Sequence, residues 1–191
     1  MNNVVHNWKV FGLEDSVRAS RYPMAVNVDD VAFGITDNVR KLANAPKGSG
    51  HDQFLTGIVV QFDLTFSIKA WVEAERYHFL DFVSSQSTMH RIGSFDPLIQ
   101  CNEYVTPATI QELIRLLGVY KADKTDENKL RLLYNVPTGF RLTARMTCNY
   151  RQLKTIYSQR KSHTLPEWRT LCEWIEKDLP HSYFITGGKE T

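Results

Sequence analysis

Apolar and polar residues alternate most cleanly over residues 58–70. Val60, Phe62, Leu64, Phe66 and Ile68 point one way, and Val59, Gln61, Asp63, Thr65, Ser67 and Lys69 the other. A period of two with one apolar face predicts a half-buried strand. A second β-like run covers residues 140–148, and Trp8 to Phe11 reads as a short edge strand. Elsewhere the spacing is helical. Asp15 or Ser16 suits the cap of a helix through residues 17–20, which Pro23 breaks. Residues 29–43 carry Val31, Ala32, Ile35, Val39 and Leu42 at helical spacing, and residues 46–50 end that helix in a loop. Residues 71–78 read as another helix. Thr106 or Thr109 begins an amphipathic helix with Ile110, Leu113, Ile114 and Leu117 as its stripe. Residues 121–128 form a charged loop, residues 130–134 resume a helical pattern, and Pro137 to Gly139 turn the chain into the second β-like run. Residues 187–191 are expected to fray.

Residues 149–168, NYRQLKTIYSQRKSHTLPEW, follow that run directly. Asn149 stands at a helix N-cap, where its side-chain oxygen can accept from a free N–H of the first turn. At about 100° per residue, Asn149, Leu153, Ile156, Arg160 and His163 share one face. Two apolar residues thus sit among polar groups able to bond a ligand, on one rigid element. Read without that ligand, Asn149 is a cap, Arg160 a surface charge and His163 a cation near a helix C-terminus. Pro166 fits the first turn of a second helix, whose stripe is Trp168, Leu171, Cys172, Ile175 and Leu179.

Composition narrows the class. The chain has 191 residues, 42% hydrophobic and 23% charged, with a net charge of +2. That predicts one globular domain over residues 1–191 and no bulk affinity for nucleic acid or membrane. Cys101, Cys148 and Cys172 are odd in number and far apart, which predicts buried structural thiols rather than a disulfide framework or a metal site. With no signal-peptide pattern and no apolar run of about 18 residues, a cytoplasmic location is expected. The hydroxyl-rich stretch Ser84 to Thr88, closing on Arg91, suits phosphate or pyrimidine recognition, because hydroxyls and a guanidinium satisfy several oxygens together.

Asn149-Tyr150-Arg151, then Leu153, Arg160, His163 and Trp168, resemble the C-terminal signature of the flavin-dependent thymidylate synthases, with the Asn-to-Arg spacing matched without a gap. Val17-Arg18-Ala19-Ser20 is similar to that family's first-helix string. His51, in His51-Asp52-Gln53-Phe54-Leu55, resembles its loop histidine, although the family's Pro and second His are absent. The family's signature loop is matched only in part by residues 77–91. One register aligns Ser84, Gln86 and Arg91; the other aligns Ser85, Gln86 and Thr88 with one inserted residue before Arg91. In both, the family's Arg-His-Arg start is missing: Phe79 or His78 stands at its first position.

The resemblance implies an α/β (α+β) fold, a twisted, mostly antiparallel sheet with packed helices. It implies a homotetramer with sites between subunits. The implied reaction is reductive methylation of dUMP to dTMP, with methylenetetrahydrofolate as carbon donor, FAD as hydride carrier and NADPH as reductant. Arg160 would be catalytic. Arg91, Arg160, Gln86, Ser87 and Arg131 would bind dUMP, with Arg141 and Arg145 as alternatives to Arg131. Asn149, Arg151, His51, His78 and Ser84 would contact FAD. No metal is implied. With the flavin-facing cations replaced, two alternatives stand beside it: another pyrimidine-nucleotide modification, such as hydroxymethylation, or a non-catalytic nucleotide-binding homologue.

Overall fold

The structure, a computed structural model, describes residues 4–46 and 48–188. Lys47 of the loop over residues 46–50, and residues 189–191 of the expected frayed end, lie outside it. The described chain divides into two compact units. One comprises the residues up to Asp63, Phe79–Asp81 and those from Met146 on; the other comprises Leu64–His78 and Phe82–Arg145.

The elements run β1 (Val5–Phe11), α1 (Leu13–Ala19), α2 (Asp37–Ala43), β2 (Val59–Ser67), α3 (Ile68–Ala74), β3 (Asp81–Ser85), α4 (Thr88–Arg91), α5 (Pro97–Gln100), α6 (Pro107–Ala122), α7 (Asp126–Tyr134), β4 (Arg141–Asn149), α8 (Tyr150–Arg160), α9 (Pro166–Lys177) and α10 (Tyr183–Thr186). The strands form an antiparallel sheet in the order β1-β2-β4-β3. The expected mixture of antiparallel sheet and packed helices is what the structure contains.

The alternation in β2 holds: Val60, Phe62, Leu64 and Phe66 are fully buried. Its end does not. Ser67 accepts from the Ala70 N–H and turns the chain straight into α3, so Ile68 starts a helix instead of closing the strand. That helix begins before Trp71 and stops at Ala74. The expected helix over residues 29–43 is likewise shorter. Asn27 caps a single 3₁₀ turn at Val28–Asp30, and the Thr36 hydroxyl accepts from Val39 N–H and starts α2 there. Helix α1 starts at Leu13 and is capped by neither Asp15 nor Ser16. Gly12 precedes it at φ 70, where an added Cβ would lie 2.6 Å from the Gly57 carbonyl oxygen. The hydroxyl-rich stretch is not a loop throughout: Ser84 and Ser85 end β3, and Ser87 caps α4. Within the charged run at 121–128, α6 continues to Ala122 and Thr125 caps α7, leaving three linking residues.

Each unit has its own core. In the first, Phe62, Tyr150, Leu153, Trp168, Ile175 and Phe184 are fully buried. In the second, Leu113 and Leu117 of α6 pack with Ile92, Leu132 and Phe140, while Ile110 and Ile114 are half-buried. Burial of side chains this size stabilises by roughly 1.5–3 kcal/mol each.

Candidate functional site

Helix α8 carries most of the candidate residues in the first unit. Asn149 Oδ1 accepts from Gln152 N–H at 3.0 Å, and Gln152 Oε1 accepts from Asn149 N–H at 2.8 Å. This reciprocal capping box uses the oxygen of Asn149, and among the described residues its Nδ2 hydrogens have no partner. Farther along the same face, Leu153 and Ile156 are buried, and Arg160 is only 8% exposed. Its guanidinium lies over the Trp168 indole, 4.6 Å from the ring centroid. His163 Nδ1 accepts from Leu165 N–H at 3.1 Å, so the imidazole shapes the turn into α9, where Pro166 takes the first position.

Arg151 is held differently. Its Nε donates to Asp52 Oδ1 at 3.1 Å and its Nη1 to Gln53 Oε1 at 2.8 Å. Lys154, three residues on, donates to Asp52 Oδ2 at 3.2 Å and to the Ala43 carbonyl at 2.6 Å. Asp52 is 4% exposed, so its buried carboxylate is satisfied by two cations from one face of α8.

His51 is exposed beside it. Together with Ser20, Arg21, Asn38, Leu42, Gln53 and Phe54 it lines a groove of about 760 Å³ in the first unit. Arg21 also donates to the Ala32 carbonyl at 3.2 Å.

The second unit holds the other candidates. Gln86 pairs with Thr143 through both its N–H and its Oε1, each at 2.9 Å. Ser87 caps α4 by accepting from His90 N–H at 3.3 Å. Arg91, in the last turn of α4, and Ser84, in β3, are exposed, as is His78 in the turn before β3. Arg131 is paired with Glu127 on the exposed face of α7. Arg141 donates to the Ile99 carbonyl at 2.7 Å. Arg145 lies half-buried in β4.

All three cysteines are free and buried. Burial pushes each thiol up, Cys172 to about 12 with Glu176 adding to the effect, so none is poised as a nucleophile. Among the described residues no group of three or more His, Cys, Asp or Glu is placed to hold a metal, and no helix is long and apolar enough to cross a membrane.

Against solved structures, the chain superimposes on a flavin-dependent thymidylate synthase from Helicobacter pylori complexed with FAD and dUMP, at TM-score 0.74 and 16% identity, covering 97% of this chain and 99% of that one. The chain has the flavin-dependent thymidylate synthase fold. A second structure of the Helicobacter pylori synthase with FAD and dUMP gives TM-score 0.74 at 18% identity over 98% of both chains. A UMP/dUMP methylase from Streptomyces cacaoi bound with 5-Br dUMP gives 0.61 at 17% identity, over 90% of this chain and 86% of that one. No protein-family model and no curated protein sequence matches the chain.

Asp52 and Lys154 escaped the sequence reading. The available signal was a basic pair three apart on α8, Arg151 and Lys154, and an acidic residue flanked by two polar ones after a glycine-rich turn. Nothing local ties residues about a hundred positions apart.

Proposed function

We propose that the chain is a flavin-dependent pyrimidine-nucleotide methylase, converting dUMP to dTMP with methylenetetrahydrofolate as carbon donor, FAD as hydride carrier and NADPH as reductant. The observation that carries this reading is the groove. Two segments whose resemblance to the synthases is independent, the Val17–Ser20 string through Ala19 and Ser20, and His51, line it together, and Arg151 is fixed against its wall residue Gln53. The lining suits a flavin: Met24, Val31, Leu42 and Phe54 offer apolar surface for a ring system, and Ser20, Arg21, Asn38, His51 and Gln53 offer polar partners. Its volume of about 760 Å³ falls within the range of small-molecule sites, roughly 300–1,000 Å³.

A bound flavin supplies the hydride chemistry; the chain's residues bind, orient and polarise. We assign Asn149, Arg151, His51, His78 and Ser84 to FAD, and Arg91, Arg160, Gln86, Ser87 and Arg131 to the nucleotide. Arg160 is the catalytic candidate. A buried guanidinium beside a uracil carbonyl would favour the ring form that carries negative charge. We assign the chain, residues 1–191, as one functional domain acting in the cytoplasm as a homotetramer with sites completed between subunits.

The test is the absorbance spectrum of the purified protein, before and after adding FAD and dUMP, followed by an assay for dTMP. A flavin spectrum perturbed by dUMP supports the reading. No bound flavin under any of these conditions removes it.

One observation favours a second reading on the same fold. Where the synthase pattern begins with Arg-His-Arg, this chain has His78 or Phe79 leading into β3, with few cations to face a flavin ring. A different one-carbon transfer to UMP or dUMP, such as hydroxymethylation, then replaces methylation, and product mass distinguishes the two. A colourless protein that binds dUMP without turnover would be the non-catalytic alternative.

A further inference from the structure

The carboxylate of Asp52 is shared. Oδ1 takes Arg151 Nε at 3.1 Å and Oδ2 takes Lys154 Nζ at 3.2 Å. Asp52 and Lys154 are well covered, with side chains 6% and 17% exposed, whereas the Arg151 side chain is 38% exposed. The Nη2 of Arg151 has no hydrogen-bond partner among the described residues, since Nε and Nη1 are taken by Asp52 and Gln53. Gln53 is itself a wall residue of the groove.

A lone aspartate paired with Arg151 would leave the pair behind that wall neutral. The second cation changes the sign: two positive groups and one carboxylate leave one net positive charge, and of the three side chains that of Arg151 is the most exposed. Lys154 also donates to the Ala43 carbonyl at 2.6 Å, tying the C-terminal end of α2 to the turn that carries His51 and Gln53.

We propose that Lys154 is a positioning residue: through the shared carboxylate of Asp52 it leaves the outward edge of Arg151 net attractive to the phosphate of a ligand bound at the groove. This rests on the reading above that Arg151 contacts the cofactor, and it adds the chemistry selected there, a phosphate-bearing ligand over its phosphate-free counterpart.

The experiment compares wild type, Lys154→Met and Lys154→Arg by calorimetric titration with FAD, riboflavin and inorganic pyrophosphate, each variant first checked by thermal melting. Met keeps most of the stem and removes the charge, so any loosening from the lost bond to Ala43 acts on all ligands alike. Lys154→Met is expected to weaken FAD by about tenfold or more and riboflavin by less than about twofold, as a lost charge in a partly desolvated wall requires. Lys154→Arg is expected to restore FAD affinity. Equal loss for both flavins, or no loss for either, overturns the proposal. If the wild type binds neither flavin, the cofactor reading fails separately and pyrophosphate decides. Binding to wild type that Lys154→Met removes upholds a phosphate-selecting wall; no binding, or binding unchanged, overturns it.

Discussion

The Arg160 guanidinium lies over the Trp168 indole at 4.6 Å from the ring centroid, with both side chains withdrawn from solvent. A cation in such a place is held by the ring face, and the contact contributes roughly 0.5–2 kcal/mol. Arg160→Ala is therefore expected to lower stability modestly. On the proposed reading, nucleotide binding weakens by far more, about 2–5 kcal/mol, because a buried charged partner of the ligand is removed. Titration with dUMP checks this; affinity unchanged within error removes Arg160 from the site.

Asn149 caps α8, and the proposed reading adds a separable contact to the cofactor. Replacing it with Ala breaks the capping box and costs about 1 kcal/mol in urea unfolding. Asn149→Ser keeps a capping oxygen and discards the amide. Full stability with weakened FAD binding in the Ser variant would locate the cofactor contact in Nδ2; unchanged FAD binding would leave Asn149 a cap alone.

Asp52→Ala strands two cations against a covered wall. Removing one partner from a buried ionic group is costly, about 3 kcal/mol here. Denaturant unfolding should show it. A loss under about 1 kcal/mol would mean water takes over the role of the carboxylate, which the burial of Asp52 argues against.

Gly12→Ala forces a side chain into a left-handed backbone and places its Cβ against the Gly57 carbonyl. The loss should exceed about 1 kcal/mol, more than a Gly→Ala change costs at an ordinary position. Thermal melting of the variant against wild type reads it directly.

Alkaline pH should loosen the first unit. The Cys172 thiol is pushed from its usual 9.0 to about 12, first by burial and then by Glu176, and burial with the bond to Glu176 pushes the Tyr157 phenol to about 12. A raised value means that the folded state favours the neutral form. This stabilisation is intact below the unfolded value and is lost as pH climbs through the folded one. Stability should thus fall between about pH 9 and 12, and Cys172→Ala should lack part of that fall. In native protein at pH 8 the thiols should also alkylate far more slowly than after unfolding. Fast alkylation of all three in native protein would contradict their burial.

Local chemistry explains what the chain disclosed in advance. The β2 alternation, the Asn149 cap and Pro166 at the start of α9 are written within a few residues of themselves, and the structure reproduces them. The departures from the pattern are local too. Thr36 and Ser67 carry cap chemistry that helical and strand periods mask, so α2 is shorter than its apolar spacing and β2 ends before its alternation does. Gly12 worked by being the residue that fits, which periodicity does not register. The Asp52 cluster lay beyond sequence reading for another reason: its partners stand 99 and 102 positions away, and only the fold closes those distances.

The strand β4 passes into α8 at Asn149 with no linking residue, just as β2 passes into α3 at Ser67. Such a joint behaves like a keyed shaft. One residue inserted after Asn149 would turn every following side chain by about 100° and advance it 1.5 Å, swinging Arg151, Lys154 and Arg160 off their present bearings together. A library of length variants would find this joint closed to insertion and the three-residue link between α6 and α7 open to it.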